Sequence, residues 1–255
     1  MTLFGFRLSK LENHIYTNIK RTKLAFPEET KMMEYGLDLM FNLTREINGA
    51  LKNNEKPQLY ANSNLFARNR QLLLNAYFCL NCSHYGTQVV ILRTIMENNN
   101  LMRLFNLHPQ YAYEWLPLNI QKQFSLETQS KYNKSGRADA TFKFPWVRNI
   151  VFKKEGKEEV GKRIEKIYHE LCDYTHPNFK GWRELMGLQA KKEVLLELPA
   201  FTPDNASELV GLTLYFMQMS FKTCVETFRQ HLLSFVIHLH AFQNDFNKLM
   251  VRYEA

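Results

Sequence analysis

A chain of 255 residues with 45 % apolar and 23 % charged side chains has an ordinary globular composition, long enough for one large domain or two small ones. Glycine and proline number only 10 and 8, which argues against a turn-rich β-sandwich or barrel, and no stretch reaches the roughly 18 apolar residues of a membrane span. The formal net charge is +8, which favours polyanionic partners such as nucleic acid, although Lys and Arg gather only in short runs such as Lys20-Arg21-Thr22-Lys23 and Lys153-Lys154.

Ser9 and Glu12 have capping-box spacing, so a first helix is predicted over 10–23. Pro27 opens a second, in which Met33, Leu37, Met40, Ile47 and Leu51 recur at steps of three and four; Asn53-Asn54 and Pro57 end it. A third, over 64–82, carries Leu65, Leu72, Leu73, Ala76 and Leu80. The fourth, over 85–107, is nearly continuous in apolar residues from Val89 to Met96. Pro109 closes it and starts a fifth through Tyr113, Trp115, Leu116 and Phe124. From 131 to 156 the periodicity fails, which predicts a long loop anchored by Phe142, Phe144, Trp146 and Val147.

Helical spacing returns over 157–175, with Ile164, Ile167, Leu171 and Thr175 on its apolar side. Two apolar runs around a polar turn predict a small irregular or β-hairpin insertion near residues 184–198. Pro203-Asp204-Asn205 caps the last helical region, which has no Gly or Pro after Gly211. A single helix over 212–252 would be roughly 60 Å long, against a radius of gyration of about 18 Å for a compact domain of this size. The segment therefore breaks in two or protrudes as an arm needing a partner. The fold expected is all-α, a multi-helix bundle, with N-terminal helices over 1–58 and the main bundle over 59–255 forming one compact unit.

The cysteines Cys79, Cys82, Cys172 and Cys224 are expected to be buried free thiols suited to a reducing cytosol. Cys79 and Cys82 have CxxC spacing, but a structural zinc would need a second pair. The first residues lack a signal peptide's charged start and apolar core, so a cytoplasmic protein is expected, with no membrane partner.

Three constellations carry candidate chemistry. His169, Asp173 and His176, at i, i+4 and i+7, share one helical face and are followed by Pro177. Imidazole and carboxylate move protons near neutral pH or ligate metals; the plain alternative is a solvated face with His176 at a helix C-terminus. Gly86, Arg93, Glu97 and Asn100 form a polar stripe on the apolar fourth helix, where Arg93 and Glu97 can pair at i, i+4 or line a pocket facing Asp173 and His176. Arg163 and His169 are separated by five residues; an arginine can hold a scissile phosphate while a histidine transfers the proton. The sequence has no Walker loop, dinucleotide-binding glycine motif, nucleophile elbow or His-Glu-x-x-His zinc motif, so no cofactor and no metal is expected.

Leu92-Arg93-Thr94-Ile95-Met96-Glu97, followed downstream by Tyr168-x-x-Leu171-x-x-x-x-His176-Pro177, resembles a group of prokaryotic all-helical proteins related to HEPN domains, helical bundles found in toxins, abortive-infection proteins and RNA-processing systems. In element order the resemblance covers residues 65–250. It implies a homodimeric bundle that binds or cleaves RNA, plausible in a toxin or antiviral defence setting. Active members carry an arginine followed a few residues later by a histidine, a spacing Arg163 and His169 match; Ile164 stands where a polar residue is usual. The expectation is an RNA-binding or RNA-cleaving protein: a metal-independent ribonuclease with Arg163, His169 and His176 as catalytic residues and Arg93, Glu97 and Asp173 organising the pocket. Two alternatives stay open: a non-enzymatic scaffold oligomerising through the C-terminal helical region, and a metal-dependent hydrolase using His169, Asp173 and His176.

Overall fold

The three-and-four-residue apolar repeats become helices, and their buried faces meet in one core. The structure, a computed structural model, describes residues 8–51, 55–132, 142–175 and 201–253. Eleven α-helices and no strand occur among the described residues: α1 Leu8–Ala25, α2 Pro27–Ala50, α3 Pro57–Asn81, α4 Tyr85–Leu107, α5 Pro109–Trp115, α6 Leu118–Gln121, α7 Leu126–Tyr132, α8 Phe144–Lys154, α9 Glu158–Thr175, α10 Pro203–Phe228 and α11 Val236–Met250. The all-α bundle is as expected. The insertion near 184–198 lies outside the described residues.

Proline starts five of the eleven helices. Pro27, Pro57, Pro109, Pro145 and Pro203 all lie in a first helical turn, where the missing N–H would have no partner and the fixed φ suits the helix. This explains three departures from the sequence reading. The third helix begins at Pro57 rather than at residue 64. The predicted loop over 131–156 contains α8, with Pro145 an initiator rather than a breaker. The fifth helix divides into α5 and α6 because Pro117 caps the second piece from outside.

Helix α4 is central. It packs on α3, α5, α8, α9 and α10, while α1 and α2 cover α3 from the other side. Two tight hairpins fix its surroundings. Between α3 and α4, the His84 N–H donates to Cys79 O and the Ser83 N–H to Leu80 O, a Schellman closure that places Ser83 at φ 62. Between α8 and α9 the same pattern recurs, with Lys157 N–H on Phe152 O, Gly156 N–H on Lys153 O and Gly156 at φ 64, a conformation glycine adopts without a Cβ clash.

The α3–α4–α10 interface is apolar with polar rungs. Asn69 Nδ2 donates to Asn99 Oδ1 (2.8 Å) and Ser220 Oγ (3.2 Å), and its Oδ1 accepts from Asn98 Nδ2 (2.8 Å). Gln88 Nε2 donates to Thr213 Oγ1 (2.9 Å), and Asn62 Nδ2 donates to Asn106 Oδ1 (2.7 Å) and Thr227 Oγ1 (3.0 Å). Buried polar groups with fixed partners hold the register of packed helices.

The C-terminal region breaks in two, the first of the outcomes expected. Helix α10 ends at Phe228, a 3-10 turn covers Leu233–Phe235, and α11 folds back. No proline or glycine forces this. Turning back buries Phe242, Phe246 and Leu249, with Phe242 edge-on to Phe221 at 4.7 Å and packed on α2. Each such burial is worth about 1.5–3 kcal/mol, against about 0.5–1.5 kcal/mol net for each helical hydrogen bond given up at the bend. Gly36 lets α2 approach: a Cβ there would lie 2.2 Å from Met217 Sδ and 2.9 Å from Phe242 Cε2.

Candidate functional site

Arg93 and Glu97 lie on the face of α4 that meets α9, and the residue that meets them is Tyr168. Arg93 Nε reaches Glu97 Oε1 at 3.2 Å, Arg93 Nη2 donates to Tyr168 Oη at 3.0 Å, and Tyr168 Oη donates to Glu97 Oε1 at 3.2 Å. Phe144 at the start of α8 stacks on the Tyr168 ring at 3.9 Å between centroids. Burial raises the Tyr168 phenol to about 12; the hydrogen bond from Arg93 pulls the other way, and Glu97 adds to the rise. The phenol therefore stays neutral near pH 7 and donates its hydrogen bond to Glu97. With each group engaged by the other two, the cluster joins α4 to α9 and offers no activated nucleophile.

The residues expected to face the Arg93–Glu97 stripe, Asp173 and His176, have side chains outside the described residues, and on the described part of α9 it is Tyr168 that faces it. Ile164 and Leu171 are the buried hydrophobic residues of α9 among those described, and Tyr168, four after one and three before the other, belongs to their stripe. His169 therefore points to solvent, 67 % exposed, with Nε2 3.8 Å from Glu165 Oε1. Glu165 also pairs with Arg148 of α8, whose hydrogen bond is the main reason its carboxyl titrates below the usual range. The result is a short row of contacts, Arg148 to Glu165 to His169, ending at the surface.

Arg163 is exposed on α9 and forms no salt bridge with a described residue. Arg163 and His169 are six residues apart, so they stand about 120° apart around the axis and about 9 Å apart along it. The two side chains therefore leave α9 in different directions. Lys162 and Lys166 lie between them on the outer face, paired with Glu159 at 2.6 Å and Glu170 at 3.9 Å. Asp173 falls in the last turn of α9; its side chain, and His176 altogether, lie outside the described residues.

No group of three or more His, Cys, Asp and Glu side chains suited to a metal ion occurs among the described residues. Cys79, Cys82 and Cys172 are half-buried and Cys224 fully buried, none of them in a disulfide; burial raises the pKa of Cys79, Cys82 and Cys224, which keeps those three as unreactive thiols. No helix of the described residues is long and apolar enough to cross a membrane.

One feature was missed from sequence. Arg103, on the α4 face beside α8, grips Glu155 through Nη2 (2.5 Å) and Nε (3.3 Å) and lies over the Phe152 ring at 4.5 Å. The available signal was a lone arginine inside the apolar run Leu101-Met102-Arg103-Leu104-Phe105, where a charge needs a partner. Compared with protein-family models, curated proteins and solved structures, the chain matches none.

Proposed function

We propose that this protein binds RNA through the outer face of α9. The observation that carries the reading is the exposed row of Lys162, Arg163, Lys166 and His169 on one helix of a chain with net charge +8. Lysine and arginine on a rigid helix contact phosphates by releasing condensed counterions, and the resulting affinity depends on salt more than on sequence. The HEPN-like resemblance points the same way.

RNA cleavage is the second reading, favoured by the Arg148–Glu165–His169 row, in which a small closing of the 3.8 Å gap would let the carboxylate orient the ring for proton transfer. The divergence of Arg163 and His169 around α9 means that such a site takes its arginine and histidine from two copies of the chain. Leu233 in the bend and Ile237 in the first turn of α11, 72 % and 80 % exposed, supply an apolar surface for that pairing through the C-terminal region.

Incubation of RNA under chelator with wild type and with His169→Ala separates the readings. Cleavage by wild type that the variant lacks supports the ribonuclease. Retention of RNA by wild type without cleavage leaves the binding reading alone, and failure of wild type either to retain or to cleave RNA removes both.

A further inference from the structure

A cleft of about 810 Å³ lies between α4, the α8–α9 hairpin, α10 and α11, a size typical of small-molecule sites. Its walls divide by chemistry. Phe152, Val160, Ile164 and Met219 form an apolar side, and Val160 is 45 % exposed there. Arg103, Lys157 and Lys222 bring three cationic groups against the two carboxylates of Glu155 and Glu226.

The donors are incompletely used. Arg103 spends Nε and Nη2 on Glu155, and among the described residues its Nη1 has no partner. Lys157 Nζ, 3.3 Å away, is a second cation on the same carboxylate, so Glu155 is fully compensated. Lys222 forms no salt bridge with a described residue, and the Tyr215 hydroxyl donates to none. Burial raises the Tyr215 pKa, which keeps that hydroxyl a donor. Tyr215 and Lys222, seven apart on α10, share one face with Met219 between them, so the polar and apolar walls meet along a single edge.

We propose that this cleft binds a small anionic amphiphile, with a carboxylate or phosphate headgroup held by Arg103 Nη1, Tyr215 Oη and Lys222 Nζ and its apolar body laid on Phe152, Val160 and Met219. The site is on the inner side of α9, away from Lys162 and Lys166, and does not depend on the RNA reading. Charge-assisted hydrogen bonds orient the headgroup, and the Val160 and Met219 surface supplies the hydrophobic gain on binding.

The test is a fluorescence titration of the full chain with anilinonaphthalene sulfonate, an anionic aromatic probe, followed by displacement with decanoate, decyl phosphate, decanol, acetate and adenosine monophosphate. Saturable one-to-one binding is expected, displaced by decanoate or decyl phosphate but not by decanol or acetate. Whichever of the two anions displaces at the lower concentration identifies the headgroup. Lys222→Ala, losing one charge-assisted bond, weakens binding about tenfold. Val160→Glu, at a half-exposed position and with an unchanged circular dichroism melt, weakens it at least as much by placing a carboxylate against the anion. Absence of saturable binding, equal displacement by decanol, affinity unchanged in both variants, or tighter displacement by adenosine monophosphate than by either decyl anion overturns the proposal.

Discussion

Replacing Asn69 by alanine tests whether the polar rungs hold the bundle together. Asn69 is fully buried, and its amide makes three hydrogen bonds, to Asn98, Asn99 and Ser220. The partners do not suffer equally. Asn99 Oδ1 still accepts from Ser220 Oγ at 2.9 Å, whereas Asn98 Nδ2, on a residue 3 % exposed, loses the acceptor at 2.8 Å. One orphaned buried donor costs about 1–3 kcal/mol, and each remaining lost bond about 0.5–1.5 kcal/mol. The small cavity adds to this, so a loss of about 3–5 kcal/mol is expected. Urea unfolding followed by circular dichroism should show a lowered midpoint with an unchanged slope. Asn75→Ala, at an exposed position of the same helix, should move stability by less than about 0.5 kcal/mol. A loss below about 1 kcal/mol for Asn69→Ala would mean that the amide network contributes no more than the apolar packing around it.

Three further outcomes follow from the same contacts. Gly36→Ala gains about 1 kcal/mol of helix propensity but forces Met217 and the buried Phe242 ring aside, an overpacking cost of about 1–3 kcal/mol; thermal unfolding should show net destabilisation, and a raised melting temperature would contradict the close approach of α2, α10 and α11. Tyr168, whose phenol is raised to about 12, favours the folded state fully below its ordinary value of 10.0 and progressively less as pH rises through the folded value. In the tyrosinate absorbance titration, Tyr168→Phe should therefore remove a late-ionising component, and loss of an early one instead would refute the burial of that hydroxyl. Glu34 is held below its ordinary 4.5 by the hydrogen bond from Lys23 and then that from Tyr77. Its contribution is present above that ordinary value and lost as pH falls through the lowered one, so Glu34→Gln should lower stability at neutral pH and flatten its decline in acid; an unchanged acid limb would rule the linkage out.

Local signals in the sequence reached as far as their spacing allowed. Helix α4 was legible to the residue, because His108-Pro109 ends it and its apolar run from Val89 to Met96 is nearly continuous. The start of α3 was hidden because Tyr60, Asn62, Ser63 and Asn64 look like loop chemistry. Asn62 is in fact buried by partners on α4 and α10, a fact no local window contains. Pro145 marked a helix start that resembled a breaker. The Arg93–Glu97 pair follows from i, i+4 spacing, but its third member, Tyr168, lies 71 residues from Glu97, and Arg103 finds Glu155 across 52 residues. The bend between α10 and α11 was forced by length rather than by any breaking residue, so the need for it was readable and its position was not.

The most direct test of the RNA-binding account is the salt dependence of affinity for a fluorescent single-stranded RNA, measured by anisotropy for wild type and for Lys162→Glu/Arg163→Glu/Lys166→Glu. These side chains are exposed, so the variant should fold as wild type does. Losing three phosphate contacts should lower the slope of log affinity against log salt by about 2 and abolish most binding at physiological salt. Equal affinity and equal slope for the two proteins would contradict the assignment of α9 as the RNA-binding face.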